Sequence, residues 1–259
     1  MKRILFLLYG LFAYIVTLST MTYLIGFATT VLVPYHVDSG VESHWLTAVF
    51  INIGLVVLFG VQHSVMARPA FKARWTQIVP KPIERSTYVL IASLMTLLLM
   101  WQWRPISHII WQAQTPTLTT LLYAVALGGW SLAVFATFLI NHFDLFGLRQ
   151  VVLYFQDRPY TPVAFKEPFL YRVVRHPMQL GIAIGLWVTP LMTVGHLLFA
   201  ASLTLYILVG LYFEERDLIR QFGERYRQYQ RTTPKLLPIP KPVQRPSDTA
   251  EHQGQTGLS

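Results

Sequence analysis

The segment YRVVRHPMQLGIAIGLWVTPLMTVGHLLFAASLTLYILVGLYFEE, residues 171–215, decides the fold of the chain. It begins with a charged approach to Pro177, continues through two apolar segments interrupted at Pro190, and ends with Glu214 and Glu215. A proline between two apolar segments breaks a continuous helix, so the segment is interpreted as a helical hairpin. Cations at one mouth of this hairpin and carboxylates at the other predict a polar site at a membrane surface.

The composition is typical of a protein folded in a lipid bilayer. Of its 259 residues, 53% are hydrophobic and 13% are charged, whereas about 25% are charged in soluble domains. Apolar runs of about 20 residues recur, and they are continuous, as in transmembrane helices, not alternating, as in β-barrels. We therefore predict an all-α, polytopic integral membrane bundle of five to six transmembrane helices, with a C-terminal helical hairpin and a cytoplasmic C-terminal helix.

The predicted crossings follow the apolar runs. Four lie before the hairpin and two form its arms; they cover residues 4–33, 45–66, 82–103, 118–140, 178–190 and 195–213. The prolines after residue 233 end the structured part. We expect residues 1–240 to form a single membrane domain and residues 241–259 to form a disordered polar tail.

The distribution of lysine and arginine predicts the topology. The N-terminus carries 2 of them, the second and fourth loops 5 each and the C-terminal region 8, against 0 and 1 in the first and third loops and none at the hairpin tip. With six crossings all basic segments fall on one side, which the positive-inside rule places in the cytoplasm. The two termini and the basic loops are then cytoplasmic, and we expect the polar residues near them to face the cytoplasm. The net charge of +9 is explained by these loops, so nucleic-acid binding is not predicted.

Polar residues from separate helices fall near the predicted cytoplasmic ends. They are His63, Glu84, Arg85, Tyr88, Asn141, His142, Asp144, Arg175, His176, Glu214 and Glu215. Unpaired polar groups are costly at that depth, so we expect these residues to converge. Spacing alone leaves structural roles open: a basic helix flank for the RHP segment at 175–177, a solvated helix face for the two glutamates and a buried structural role for His63.

Several site types are disfavoured by the sequence. There is no cysteine, which excludes thiolate metal sites and a covalent thiol intermediate on the protein. No HxxxH or HExxH pattern occurs, so no metal site is predicted. There is no GxG and no P-loop, so a nucleotide-like cofactor has to bind without a Rossmann or P-loop cradle.

The C-terminal third resembles the membrane methyltransferases related to isoprenylcysteine carboxyl methyltransferase. The matching motifs are RHPxxxG at 175–181, the glutamate pair at 214–215 and FGxxYxxY at 222–229. The resemblance implies that S-adenosylmethionine binds between the last helices and the C-terminal segment. The residues that it assigns to the cofactor are Tyr171, Arg175, His176, Pro177, Gln179, Gly181, Glu214, Glu215, Tyr226 and Tyr229. Gln179 departs from the pattern, which often has tyrosine at this position.

The earlier part of the chain is similar to the bacterial methanethiol S-methyltransferases, and it shares part of the pattern of the NnrU group. The similar segments are LFGVQHSVMARPAFKARWTQIVPKPIERSTYVLIASL at 58–94 and NHFDLFGLRQVVLYF at 141–155. The resemblance implies transfer of a methyl group to methanethiol, a small volatile thiol that can enter from the bilayer. As catalytic groups we predict Arg85 to stabilise the thiolate, Tyr88 and His63 to hold or relay its proton, and Asp144 to orient His142.

Two alternatives stay open at this point. One is carboxyl methylation of a lipidated cysteine, which needs a wide lateral opening. The other is a non-catalytic NnrU-like accessory or haem-associated protein that uses His63, His142 and His176 as ligands. A transporter is disfavoured, because the polar groups gather at one interface instead of at the middle of the bilayer. The sequence makes no prediction of the oligomeric state.

Overall fold

The computed structural model describes residues 1–239, so the tail predicted at residues 241–259 lies outside the described part. The elements in chain order are α1 (Lys2–Thr29), α2 (Trp45–Ala67), α3 (Pro69–Trp75), α4 (Lys81–Gln102), β1 (Ile109–Gln112), α5 (Pro116–Ile140), α6 (His142–Leu145), α7 (Leu148–Phe155), a 3-10 turn (Phe169–Arg172), α8 (Pro177–Trp187), β2 (Leu191–Thr193), α9 (Val194–Phe222) and α10 (Glu224–Thr232). The division into one domain over residues 1–240 stays a prediction.

Five helices, α1, α2, α4, α5 and α9, are long and apolar enough to cross a membrane. Their outward faces carry exposed large apolar side chains, such as Phe50 on α2 and Leu205 on α9, which suits contact with lipid. The predicted helical membrane bundle is confirmed. The apolar helix α8 has 11 residues, or about 16 Å at 1.5 Å per residue, which is half of a bilayer core.

The hairpin tip lies at the end of the bundle opposite to the basic loops. After α8 the chain is extended, and β2 pairs antiparallel with β1 from the third loop. Thr193 of β2 also donates a hydrogen bond to Asp38 of the first loop. The α8 arm and its extended continuation therefore run from the basic end to the far end. The β1–β2 ribbon is an addition to the predicted all-α fold, because segments of three or four residues carry too little pattern to be recognised as strands.

Small residues fix α8 against α5. A Cβ atom added to Gly181 would lie 2.5 Å from the carbonyl oxygen of Gly129, and one added to Gly185 would lie 2.4 Å from Nε1 of Trp130. The two glycines of the GxxxG motif therefore pack α8 on α5, not on the other arm of the hairpin.

Two apolar clusters divide the interior. The larger one fills the half of the bundle near the hairpin tip and includes Phe27, Trp103 and Phe199. The smaller one, built on Met66 and Tyr88, lies near the basic end. The candidate functional residues lie at this basic end, where α2, α4, α9 and the C-terminal segment meet.

Candidate active site

Arg175 and Glu215 form the centre of one polar cluster, which we call the hairpin cluster (Tyr171, Arg175, His176, Glu215, Tyr226, Tyr229 and Lys235). Nε of Arg175 donates to Oε1 of Glu215 at 2.7 Å, and both residues are buried. Nη1 of Arg175 also donates to the carbonyl oxygens of Gln230 and Thr233. One guanidinium thus holds the last turn of α10 against both the start of α8 and α9.

Glu215 receives further positive groups from two other directions. Nε2 of His176 donates to Oε1 of Glu215 at 3.1 Å, and Nζ of Lys235 lies 3.8 Å from Oε2. The backbone N–H of His176 donates to the carbonyl oxygen of Lys235, which ties the chain after α10 to the start of α8. The prediction that Arg175, His176 and Glu215 converge is confirmed by these distances.

Three tyrosines close the hairpin cluster. Tyr229 donates its hydroxyl to the carbonyl oxygen of Tyr171, and Tyr171 donates to that of Ala136 at 3.3 Å. Tyr226 is also buried, and its hydroxyl has no hydrogen-bond partner among the described residues. Burial raises the pKa of Tyr171, Tyr226 and Tyr229, so all three stay neutral donors at physiological pH. The hydroxyl of Tyr226 is therefore available to a ligand.

Three further residues assigned to the cofactor, Pro177, Gln179 and Gly181, lie on α8. Pro177 is the first residue of this helix and is buried, and Gln179 is half-buried in its first turn. Gly181 faces α5, where the backbone of Gly129 already occupies the space that a side chain would take. Gly181 is thus held by helix packing, and its assignment to the cofactor stays a prediction.

A second polar cluster, the aromatic cluster, combines α2 and α4 with α9 (Phe59, His63, Arg85, Tyr88 and Tyr206). The hydroxyl of Tyr88 donates to the carbonyl oxygen of His63 at 3.3 Å, and the two rings lie 5.1 Å apart. The guanidinium of Arg85 lies 4.8 Å from the ring of Tyr88, and its Nε donates to the carbonyl oxygen of Leu145. His63, Arg85 and Tyr88 therefore converge as the sequence predicts.

Sequence reasoning missed two contributors to this region. The ring of Tyr206 from α9 lies 5.4 Å from Phe59 and 6.2 Å from His63. Arg68 at the end of α2 forms an ion pair of 2.7 Å with Asp217 of α9. Tyr206 precedes Glu214 by about two helical turns, and this spacing was the available signal that it shares the face of that glutamate.

His142 and Asp144 do not form the predicted relay. His142 is hydrogen-bonded through Nε2 to Tyr14 at 2.9 Å and through Nδ1 to Thr137 at 2.7 Å. The carboxylate of Asp144 accepts instead from Arg149 at 2.8 Å and from Tyr160 at 3.3 Å. Residues two apart in a helix point to different sides, so Asp144 cannot orient His142 in this arrangement. Burial lowers the pKa of His142, which keeps its ring neutral.

Glu214 lies between the two clusters. Its charge interacts with His176, Tyr171 and Tyr226 of the hairpin cluster and with Tyr88 and Tyr206 of the aromatic cluster. Its side chain keeps a large accessible surface. Glu214 is therefore an accessible carboxylate that lies next to Glu215 of the hairpin cluster and about two helical turns after Tyr206 of the aromatic cluster.

Comparison with known proteins identifies the family of the chain. A family model described as NnrU protein matches residues 51–239. The chain is 52% identical to methanethiol S-methyltransferase 1 of Bradyrhizobium diazoefficiens, over 89% of this chain and 81% of the relative. It is 50% identical to the methanethiol S-methyltransferase of Mycobacterium tuberculosis, over 93% of this chain and 98% of that relative. It is 48% identical to the methanethiol S-methyltransferase of Crocosphaera subtropica, over 92% of this chain and 94% of that relative. The chain belongs to the methanethiol S-methyltransferase family. No solved structure matches it.

The geometry of this family member also bears on the haem alternative. His63, His142 and His176 lie in different surroundings: His142 is bonded to Tyr14 and Thr137, and His176 to Glu215. Within residues 1–239 no group of three or more histidine, aspartate or glutamate side chains is arranged to hold a metal ion. His142 and His176 are thus engaged by different partners, and His63 lies in the aromatic cluster beside Tyr88.

Proposed function

We propose that the protein transfers the methyl group of S-adenosylmethionine to methanethiol, producing dimethyl sulfide and S-adenosylhomocysteine. The observation that carries this proposal is the position of Glu214 on α9, next to Glu215 of the hairpin cluster and about two helical turns after Tyr206 of the aromatic cluster, so that the two clusters adjoin. One reaction needs two adjoining compartments of this kind, one for the methyl donor and one for the thiol. Membership of the methanethiol S-methyltransferase family supports the choice of acceptor.

The hairpin cluster fits the methyl donor. Arg175 and Lys235 surround one carboxylate, Glu215, so the cluster carries surplus positive charge suited to the carboxylate of an amino-acid moiety. Tyr226 adds a buried hydroxyl without a partner among the described residues, as expected of a group that meets a ligand. When bound, the donor supplies a methyl group on a sulfonium sulfur, which is already activated for transfer. These side chains bind and orient it, which is the main requirement for an in-line transfer.

The aromatic cluster fits a small apolar thiol. Phe59, His63, Tyr88 and Tyr206 surround it with ring faces and edges. The guanidinium of Arg85 above the ring of Tyr88 supplies positive charge that favours a thiolate over a thiol. A volatile thiol partitions into lipid, so entry between the transmembrane helices is open to it.

We further propose that the basic end faces the cytoplasm of a bacterial inner membrane, following the positive-inside rule. The natural chain has no cysteine, so single cysteines can be labelled without background. In intact spheroplasts, a membrane-impermeant maleimide should label Glu42→Cys at the far end. Gln77→Cys at the basic end should react only after permeabilisation. The reverse pattern would contradict the proposed orientation.

The direct test uses purified protein in detergent with S-adenosylmethionine and methanethiol. We expect dimethyl sulfide in the headspace and S-adenosylhomocysteine in solution in equal amounts. A prenylated cysteine in place of methanethiol should give no methyl ester. Formation of the ester without dimethyl sulfide would replace the proposed acceptor with a lipidated cysteine.

A further inference from the structure

Glu214 and Glu215 are adjacent on α9, but their surroundings differ. Glu215 is bonded to Arg175 and His176, and its side chain is buried. In contrast, no hydrogen bond or ion pair within residues 1–239 engages the carboxylate of Glu214, and its side chain keeps accessible surface. The family resemblance assigns both glutamates to the cofactor. In the structure, however, the two carboxylates have different surroundings, so they can have different roles.

Charged and titratable groups from every neighbouring element face Glu214. They are Arg68 after α2, Tyr88 on α4, Tyr171 and His176 before α8, Tyr206 and Glu215 on α9, Tyr226 on α10, and Lys235 after it. Of these, Arg68 is already paired with Asp217, and Lys235 lies beside Glu215.

Open space lies beside Gly210, one helical turn before the carboxylate of Glu214. Gly210 lies four residues after Tyr206 and four before Glu214, so the three residues form one strip of α9. A Cβ atom added to Gly210 would have no other residue's atom within 4 Å. No side chain therefore covers the strip at Gly210, between Tyr206 and Glu214.

The other candidate bases are less accessible. The rings of Phe59, Tyr88 and Tyr206 enclose His63, and its Nδ1 atom is buried with no partner among the described residues. The hydroxyl proton of Tyr88 is donated to the carbonyl oxygen of His63. Glu214 is an accessible carboxylate beside Glu215 and on the same strip of α9 as Tyr206, so a ligand at either cluster can reach it.

We propose that Glu214 is the general base that removes the proton of the thiol, and that it is not a cofactor ligand. This inference rests on the proposed function. The S–H bond breaks, the proton passes to the Glu214 carboxylate, and the electron pair stays on sulfur. The thiolate sulfur then forms a bond to the methyl carbon while the bond from that carbon to the donor sulfonium breaks, its electron pair remaining on the donor sulfur. Glu214 releases the proton to water before the next cycle.

The test compares Glu214→Gln with the natural protein on two acceptors of similar size, ethanethiol and the more acidic 2,2,2-trifluoroethanethiol. General-base catalysis contributes about 100-fold or more to a rate. We therefore expect kcat/KM for ethanethiol to fall by about 100-fold, with a fall of less than about 10-fold for the fluorinated thiol, because it needs less help to ionise. Calorimetric affinity for S-adenosylhomocysteine should stay unchanged. If Glu214→Gln does not fold, Glu214→Asp should show the same dependence on thiol acidity with a smaller loss.

The neighbouring glutamate provides the matched control. Glu215→Gln weakens the bonds to Arg175 and His176, so it should lower the affinity for S-adenosylhomocysteine. If Glu214→Gln loses affinity for S-adenosylhomocysteine, Glu214 is a cofactor ligand. If its kcat/KM falls equally for the two thiols, Glu214 is a positioning residue. Either result overturns the inference. If the natural protein methylates neither thiol nor methanethiol, the proposed function itself fails. That result is distinct from a failure confined to the Glu214 variants.

Discussion

Arg175 and Glu215 lie 40 residues apart in the chain and are joined by a buried contact of 2.7 Å. The same guanidinium reaches the carbonyl oxygens of Gln230 and Thr233. Arg175 thus has acceptors on α9 and in the C-terminal segment after it. It couples these two segments, because both lose a hydrogen bond if the arginine is removed. The ion pair therefore joins the two arms of the hairpin and the C-terminal segment into one binding unit.

Arg175→Gln should lower both stability and cofactor affinity. Removing one partner of a buried ion pair costs about 3–5 kcal/mol when the other charge is left unpaired. Because Glu215 keeps its contacts with His176 and Lys235, we expect a loss of stability of about 3 kcal/mol or less. Thermal unfolding in detergent and calorimetry with S-adenosylhomocysteine measure the two effects. Arg227→Gln is the control: it removes an exposed ion pair with Glu224 on α10, and neither quantity should change measurably. Natural stability in the Arg175 variant would show that the segments do not depend on this contact.

His176→Ala should abolish binding of S-adenosylhomocysteine in detergent. The substitution removes the donor to Glu215 at the point where α8 begins. His108→Ala changes an exposed histidine near the far end of the bundle and should leave the calorimetric affinity intact. An unchanged affinity in the His176 variant would argue against the hairpin cluster as the cofactor site.

Tyr88→Phe and Arg85→Ala should lower turnover while the cofactor still binds. These residues lie in the aromatic cluster, and we expect rate losses of about 10-fold to 100-fold from removing a proton-handling or charge-stabilising group. Tyr9→Phe is matched to Tyr88→Phe, because it removes a hydroxyl that bonds to Thr87. Turnover should stay at the natural rate in that control. Natural rates in both test variants would reject the catalytic role of Arg85 and Tyr88.

Gly181→Ala should destabilise the bundle, because the new Cβ atom would collide with the backbone of Gly129 on α5. Overpacking of this kind costs about 1–3 kcal/mol. Gly128→Ala provides the control on α5 itself, where an added Cβ finds no atom within 4 Å. Thermal unfolding should separate the two alanine variants, and equal unfolding temperatures would contradict the close packing of α8 on α5.

Long-range patterns in the sequence predicted more of this molecule than local ones. The membrane crossings were predicted from the length of the apolar runs. The convergence of Arg175, His176 and Glu215 was predicted from motifs that are far apart in the chain. The pairing of β1 with β2 depends on contacts between loops far apart in the chain, and neither strand is long enough to signal it. The error at His142 came from proximity in sequence: Asp144 is two residues away and turns toward Arg149. Tyr206 was missed because one tyrosine in an apolar helix gives no sign of which neighbours its ring will meet.

Gly210 offers a test of acceptor size. Because an added Cβ finds open space between Tyr206 and Glu214, we expect Gly210→Leu to fold and to occupy part of the thiol compartment. The kcat/KM for propanethiol should then fall relative to that for methanethiol by about 10-fold or more, as expected when a pocket loses room for methylene groups.

Gly54→Leu is the control for this substitution. Gly54 is exposed on α2, and a Cβ atom added there also finds no atom within 4 Å. The ratio of the two kcat/KM values should therefore keep its natural value in this variant. If kcat/KM falls equally for propanethiol and methanethiol in Gly210→Leu, no thiol compartment lies in front of Gly210. A smaller compartment would lower kcat/KM more for the longer thiol than for the shorter one.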